Sequence, residues 1–190
     1  MIKIVKYLLW ASFLGTFGES MITPIVSLFN EKVGGNVLDA GIGFALFSIF
    51  TGIVVVISGK IKWFSNNTHG IVFWGFLFAA IGDFSFYFVH NVLTLYAVQI
   101  LNGISVGLLN PAWEALYTKS MKDGEEHELW SLWGGGASIS TGIAALAGAV
   151  IANIFGFKTM FLCTTAINGA ACIFAYWVFK SRKDGLQTYK

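Results

Sequence analysis

Six apolar stretches, each long enough to span a bilayer, constrain this chain more than any other feature. Crossing roughly 30 Å of hydrocarbon takes about 20 mostly apolar helical residues. Residues 7–29, 40–58, 70–89, 92–117, 129–155 and 159–179 meet that requirement. The joints carry the turn and charge signals, among them "NEKVGGNVLD", "GKIKWFSNNTH", "TKSMKDGEEHE" and "GFK". Hydrocarbon offers no hydrogen-bond partners, so a spanning backbone must satisfy itself as a helix or a closed barrel. Stretches of this length predict an all-α membrane protein with six transmembrane helices, in one domain over residues 1–190. Only 12% of the residues are charged, about half the level of a soluble domain. Mean hydropathy is +0.70. No basic stripe interleaved with aromatics is present, so nucleic acid is not an expected partner; the lipid bilayer is.

The flanking charges predict orientation. All twelve Lys and Arg fall outside the six stretches, and ten lie on one side: Lys3, Lys6, Lys60, Lys62, Lys119, Lys122, Lys180, Arg182, Lys183 and Lys190. Only Lys32 and Lys158 fall on the other side. Basic residues stay on the cytoplasmic side, which predicts an integral protein of the plasma (inner) membrane with both termini cytoplasmic. The seven tryptophans (Trp10, Trp63, Trp74, Trp113, Trp130, Trp133 and Trp177) map to the same side, as expected of an interfacial belt. The first stretch is too long for a signal peptide, contains Glu19 and lacks a small-x-small cleavage site, so it reads as an uncleaved helix.

Acids inside such stretches are costly, about 2.5–3.5 kcal/mol each near the bilayer centre, and so face a cavity or a partner. Glu19 is roughly 18 Å along the helix from Tyr7, near mid-membrane. It belongs to a polar stripe of Ser12, Thr16, Glu19, Ser20, Thr23 and Ser27, spaced to share one helix face. Such a stripe suits a helix that lines water, although Ser and Thr also bond back to helix carbonyls. Asp83, in the third stretch, is either a proton site or a partner for a neighbouring helix. In the fourth, Gln99, Asn102 and Asn110 share a face with Trp113 and Tyr117; they serve either as interhelical hydrogen bonds or as substrate contacts. Glu114 lies near the cytoplasmic interface. In the fifth, Gly134, Ser138 and Gly142 recur every fourth residue and Gly148 follows, a pattern for close helix packing within the chain or across a subunit interface.

Both prolines occur in matching places. "TPIVSLF" closes the first stretch and "NPAWEALY" the fourth. Three spans followed by three similar spans enter the membrane in opposite directions, which predicts a 3+3 inverted repeat. Pro-interrupted helices at corresponding positions point towards a transport pathway.

With these features the chain resembles one six-helix half of a major facilitator superfamily transporter. Three stretches carry the likeness. "QILNGISVGLLNPAWEAL" is similar to the family's fourth helix, with Gly103, Gly107 and Pro111 fitting and Gln99 standing where an Arg is common. "GFKTMF" looks like the link between helices five and six. "GKIKWFSNN" occupies the loop between helices two and three, where Gly59 and Ile61 fit but Trp63 and Phe64 replace an Asp and an Arg. The resemblance implies that helices one and four line a central cavity, two and five contact the other half, and three and six face outward.

From this resemblance the expectation is a half-size secondary transporter. A homodimer, or a heterodimer with another half, would work by alternating access on a small-molecule substrate. Glu19 and Asp83 are the expected proton or cation sites, and Thr16, Ser20, Thr23, Gln99, Asn102 and Asn110 the cavity contacts. Gly59, Trp113 and Glu114 are expected at a cytoplasmic gate or interface, and Gly134, Ser138, Gly142 and Gly148 in helix packing. No cofactor or metal is expected. The alternatives are a non-transporting scaffold, an accessory subunit or a piece of a full-length transporter. An intramembrane enzyme is disfavoured: "GGGAS" offers a serine, but His69, His90 and His127 all lie in joints, out of reach as bases.

Overall fold

The computed structural model describes residues 3–181. In chain order the helices are α1 (Lys3–Ile22), a 3-10 turn (Thr23–Ile25), α2 (Val26–Lys32), α3 (Val37–Lys60) and α4 (Lys62–Asn66). Then follow α5 (Thr68–Ser85), a second 3-10 turn (Phe86–Phe88), α6 (Val92–Lys119), α7 (Glu126–Phe155) and α8 (Phe157–Ser181). No strand occurs among the described residues. Among the described residues, five helices are long and apolar enough to cross a membrane: α3, α5 with its turn, α6, α7 and α8.

The ends of the long helices are set by local chemistry. Asn36 caps α3 by accepting from the amides of Leu38 and Asp39, while the Asp39 carboxylate accepts from the Asn36 amide at 2.8 Å. Asn91 caps α6 through the Thr94 amide at 2.8 Å. These reciprocal boxes satisfy amide groups that a helix start leaves free. Between α7 and α8 the chain turns on Gly156, whose φ of 86° suits a residue without a Cβ.

Two expectations need correction. The stretch 7–29 is not one helix. Pro24 withholds an amide, and the chain passes through the 3-10 turn before α2 resumes. Pro111 does the reverse and sits inside an unbroken α6, so the two prolines do not interrupt corresponding helices. The second joint contains α4.

The long helices pack in a definite order. α3 lies on α6, α6 on α5, α5 on α8, α8 on α1, and α1 on α7. α3 and α7 are the outermost members, and only 6% and 11% of their apolar windows are buried, against 39% for α5. Lipid gives no hydrophobic drive for helices to associate, so close packing must hold them. Accordingly, a Cβ on Gly103 or Gly107 would run into the α3 backbone at Phe47 and Thr51, and one on Gly148 into the α1 backbone at Met21.

Two apolar clusters hold the bundle. One contains Leu8, Ala11, Val72, Phe76, Ala112, Trp113, Tyr117 and Ala171. The other contains Met21, Phe29, Phe86, Leu95, Val98 and Phe161. Along α1, α5, α6 and α8 alike, a middle layer separates the two, and Thr16, Glu19, Asp83, Gln99, Asn102 and Asn168 fall in that layer.

Candidate transport cavity

A cavity of about 450 Å³ opens in this middle layer. α1 supplies Ser12, Thr16, Glu19 and Thr23 to its wall, and α6 supplies Gln99, Asn102 and Asn110 with Glu114 one turn further on. α5 contributes Asp83 and α8 Asn168, while Phe44 and Phe47 of α3, Phe76, Phe86 and Trp133 complete the lining. The cavity exists because α1 and α6 stay apart through this layer. Each is held instead by α8 and α5, which pack against one another.

Asp83 is 5% exposed, and its Oδ2 accepts a hydrogen bond of 2.6 Å from Nδ2 of Asn168. Asn168 is 3% exposed and lies against Gly18, where a side chain would collide with its amide. Its Oδ1 is buried without a hydrogen-bond partner. Of the two expected roles for Asp83, the geometry supplies a neighbouring-helix partner and also a place at the cavity wall. Asn168 was not among the expected site residues. Its only sequence signal is an amide within an otherwise apolar span, and nothing in spacing along α8 links it to Asp83.

The remaining polar residues divide. Thr23 Oγ1 donates to the Glu19 carbonyl at 2.9 Å, and Asn102 Nδ2 to the Val98 carbonyl at 3.1 Å. These bonds satisfy part of each side chain, and the Asn102 Oδ1 lies against Gly82 of α5. Ser20 is a correction. It is turned to α7, with its Oγ 3.1 Å from Thr141 Oγ1, and is not part of the cavity wall. Tyr96 donates to Asp39 Oδ1 at 2.7 Å, pinning α6 to α3 near their other ends.

One end of the cavity is closed by aromatics. Trp113 stacks on Tyr117 at 4.6 Å and lies 5.4 Å from Trp133. Its Nε1 donates to the Leu8 carbonyl at 3.1 Å, Trp133 Nε1 donates to Ser12 Oγ at 2.9 Å, and Tyr117 donates to the Leu129 carbonyl at 2.7 Å. α1, α6 and α7 are thereby tied together below the cavity. The expected tryptophan belt is accordingly split: Trp10, Trp63, Trp74 and Trp177 are exposed, whereas Trp113 is buried. Gly59 touches nothing that a Cβ would meet. Nor do Gly134 and Gly142, and exposed Ser138 bonds only to the Gly134 carbonyl, so of the four packing residues only Gly148 packs within the chain.

Three carboxylates, Glu19, Asp83 and Glu114, line the cavity, and no Lys, Arg or His does among the described residues. Among those residues no cluster of three or more His, Cys, Asp or Glu is placed to hold a metal ion. What the arrangement offers is a largely apolar space that carries three carboxyl groups and, among the described residues, no basic side chain.

Long apolar helices around such a space define an integral membrane protein of transporter architecture. The profile of the Major Facilitator Superfamily matches residues 8–188, and the chain belongs to that family. Among its relatives, a proton-coupled antiporter flippase, LtaA, of Staphylococcus epidermidis is 23% identical over 85% of this chain and 40% of its own length. An uncharacterized MFS-type transporter of Methanocaldococcus jannaschii is 21% identical over 97% of this chain and 49% of its own length. The fold is similar to that of the POT family transporter PepTSo, with a TM-score of 0.81 at 14% identity over 100% of this chain and 38% of the other. A peptide transporter POT solved in complex with sulfate gives 0.80 at 18% identity over 100% of this chain and 40% of the other. The chain thus spans less than half the length of these relatives.

Proposed function

We propose that this chain forms one wall of an alternating-access transport path, completed by a second six-helix unit, in the first instance a second copy of itself. The observation that carries the reading is the cavity bearing Glu19, Asp83, Gln99, Asn102 and Asn110, flanked by two outer helices that each pack along one side and leave most of their apolar surface exposed. α3 presents Val37, Leu38, Ile42, Ile49, Ile53 and Val56, and α7 presents Ile139, Ile143, Leu146 and Ile154 beside Gly134, Ser138 and Gly142. A second unit seated on these faces turns a cleft into an enclosed path.

In this reading the chain crosses the membrane six times, with α1 and α2 together forming the first crossing and both termini cytoplasmic. The packing order supports a 3+3 inverted repeat. Numbering the crossings one to six, the order of neighbours is two, four, three, six, one, five. Exchanging one with four, two with five and three with six reproduces that order reversed. A C₂ axis along the membrane normal then relates two copies inserted in the same direction. Glu19 is the coupling group, in keeping with the proton coupling named for the staphylococcal relatives.

Native mass spectrometry from lipid, with cysteine crosslinking at Ile143, tests the assembly; uptake and efflux in proteoliposomes test the activity. Paired six-helix units and solute movement are the expected results. A protein that stays monomeric and moves nothing across the bilayer would overturn the proposal. Glu19→Gln is expected to abolish the dependence of transport on a proton gradient, and unchanged dependence would remove Glu19 from that role.

A further inference from the structure

Among the described residues, the cavity has three carboxyl groups and no cationic donor of its own. Asp83 and Glu19 face a space lined by no basic side chain. Asp83 is buried, and a buried carboxylate without a countercharge is costly and calls for a cation or a proton from outside. Asn168 adds an independent requirement. Its amide nitrogen is already committed to Asp83 at 2.6 Å, and its carbonyl oxygen is buried at the cavity wall with no donor. A buried carbonyl left without a hydrogen bond costs on the order of 1–3 kcal/mol, so a donor-bearing ligand gains from supplying it.

The rest of the wall says what such a donor is attached to. Phe44, Phe47, Phe76, Phe86, Trp113 and Trp133 line the same space. Aromatic faces attract cations and also bury an apolar body. A hydrated inorganic ion uses neither property. About 450 Å³ holds one small organic molecule.

We propose that the cavity binds a protonated primary amine on an aromatic or apolar body, with its ammonium among Asp83, Glu19 and the free carbonyl of Asn168. This rests on the reading of the cavity as the transport path and names the substrate class for it. A primary ammonium carries three N–H donors, which matches two carboxylates and one carbonyl.

Isothermal titration on the purified full chain in lipid nanodiscs tests the proposal without requiring transport. The probes are 2-phenylethylamine, its N-trimethyl derivative, 2-phenylethanol and 3-phenylpropionate. The amine is expected to bind at least 10-fold more tightly than the alcohol, the trimethyl compound to fall between them, and the carboxylate not to bind. Asp83→Asn, nearly the same shape, is expected to weaken the amine at least 10-fold while leaving the alcohol unchanged. Should that variant fail to fold, the wild-type series decides by itself. Alcohol or carboxylate binding as tightly as the amine overturns the proposal, and so does binding of no probe. A melting point raised by NaCl with no response to any amine overturns it in favour of a small-cation site. A chain that binds the amine but moves no solute leaves this inference standing and sinks the transport reading. Transport of another solute with no amine binding does the reverse.

Discussion

α1 and α6 form the two principal walls of the cavity, and each meets a proline near one end with opposite results. At Pro24 the helix gives way to a 3-10 turn; at Pro111 it continues for two further turns. Both prolines remove an amide and crowd the carbonyl four residues back, so the local chemistry is the same. The difference lies in what holds the chain beyond them. After Pro111, residues Ala112, Trp113, Leu116 and Tyr117 are all buried, and Trp113 and Tyr117 are tied by hydrogen bonds to α1 and α7. Beyond Pro24, Ser27 and Leu28 are exposed, and of residues 25–29 only Ile25 and Phe29 are buried. Packing overrides the proline in one helix and leaves it to act in the other.

Removing the clamp on α6 is the most direct way to break this comparison. Trp113→Ala loses a buried ring and its hydrogen bond to Leu8. The expected destabilisation is about 3–5 kcal/mol, typical of deleting a large buried aromatic, read from reversible unfolding in mixed micelles. Hydrogen exchange over residues 108–116 should rise in the same variant. Unchanged exchange there would mean that α6 passes Pro111 without needing the clamp.

Prying α6 from α3 comes next. Gly107→Leu puts a side chain against the Thr51 carbonyl and Val54, and overpacking of this kind costs about 1–3 kcal/mol. A lower melting temperature is expected, with weaker disulfide trapping between cysteines placed at positions 54 and 108.

The prolines themselves carry smaller effects. Pro111→Ala restores an amide to a backbone that is already helical, and a gain of about 1 kcal/mol is the expected order for one recovered hydrogen bond. Pro24→Ala is expected to change stability less, because straightening the chain there would pull Ile25 and Phe29 out of the core. Melting curves of the two variants side by side check the asymmetry, and equal gains would remove it.

Gly142→Leu sits at the bottom of the scale. No atom lies within reach of a Cβ at that position, so the isolated chain should shift by less than about 0.5 kcal/mol. The same substitution should weaken association of two six-helix units, measured by native mass spectrometry across a dilution series. A large loss of monomer stability would show that this face is packed within the chain.

Individual polar residues follow the same division. Helical spacing puts Glu19, Thr16 and Thr23 on one face of α1, and Gln99, Asn102 and Asn110 on one face of α6, and all six line the cavity, because a polar side chain in an apolar span must face something other than lipid. Ser20 obeyed the same spacing and still went elsewhere, to Thr141 on α7. A stripe is broad enough that its edge residues can face a different neighbour. Asn168 has no comparable signal in the sequence, because its place in the site comes from contact with α5 and α1, far away in sequence.

The sequence by itself determined the solvent this chain folds in and the helices it must make, since apolar length, turn residues and flanking charge are local properties. Caps such as Asn36 and Asn91 and the turn at Gly156 belong to the same local class. Only the tertiary structure decided which proline breaks its helix, which small residues are packed, and which acid meets which amide. Those outcomes depend on side chains arriving from other helices, where dispersion, sterics and hydrogen bonds between distant residues outweigh the local preference.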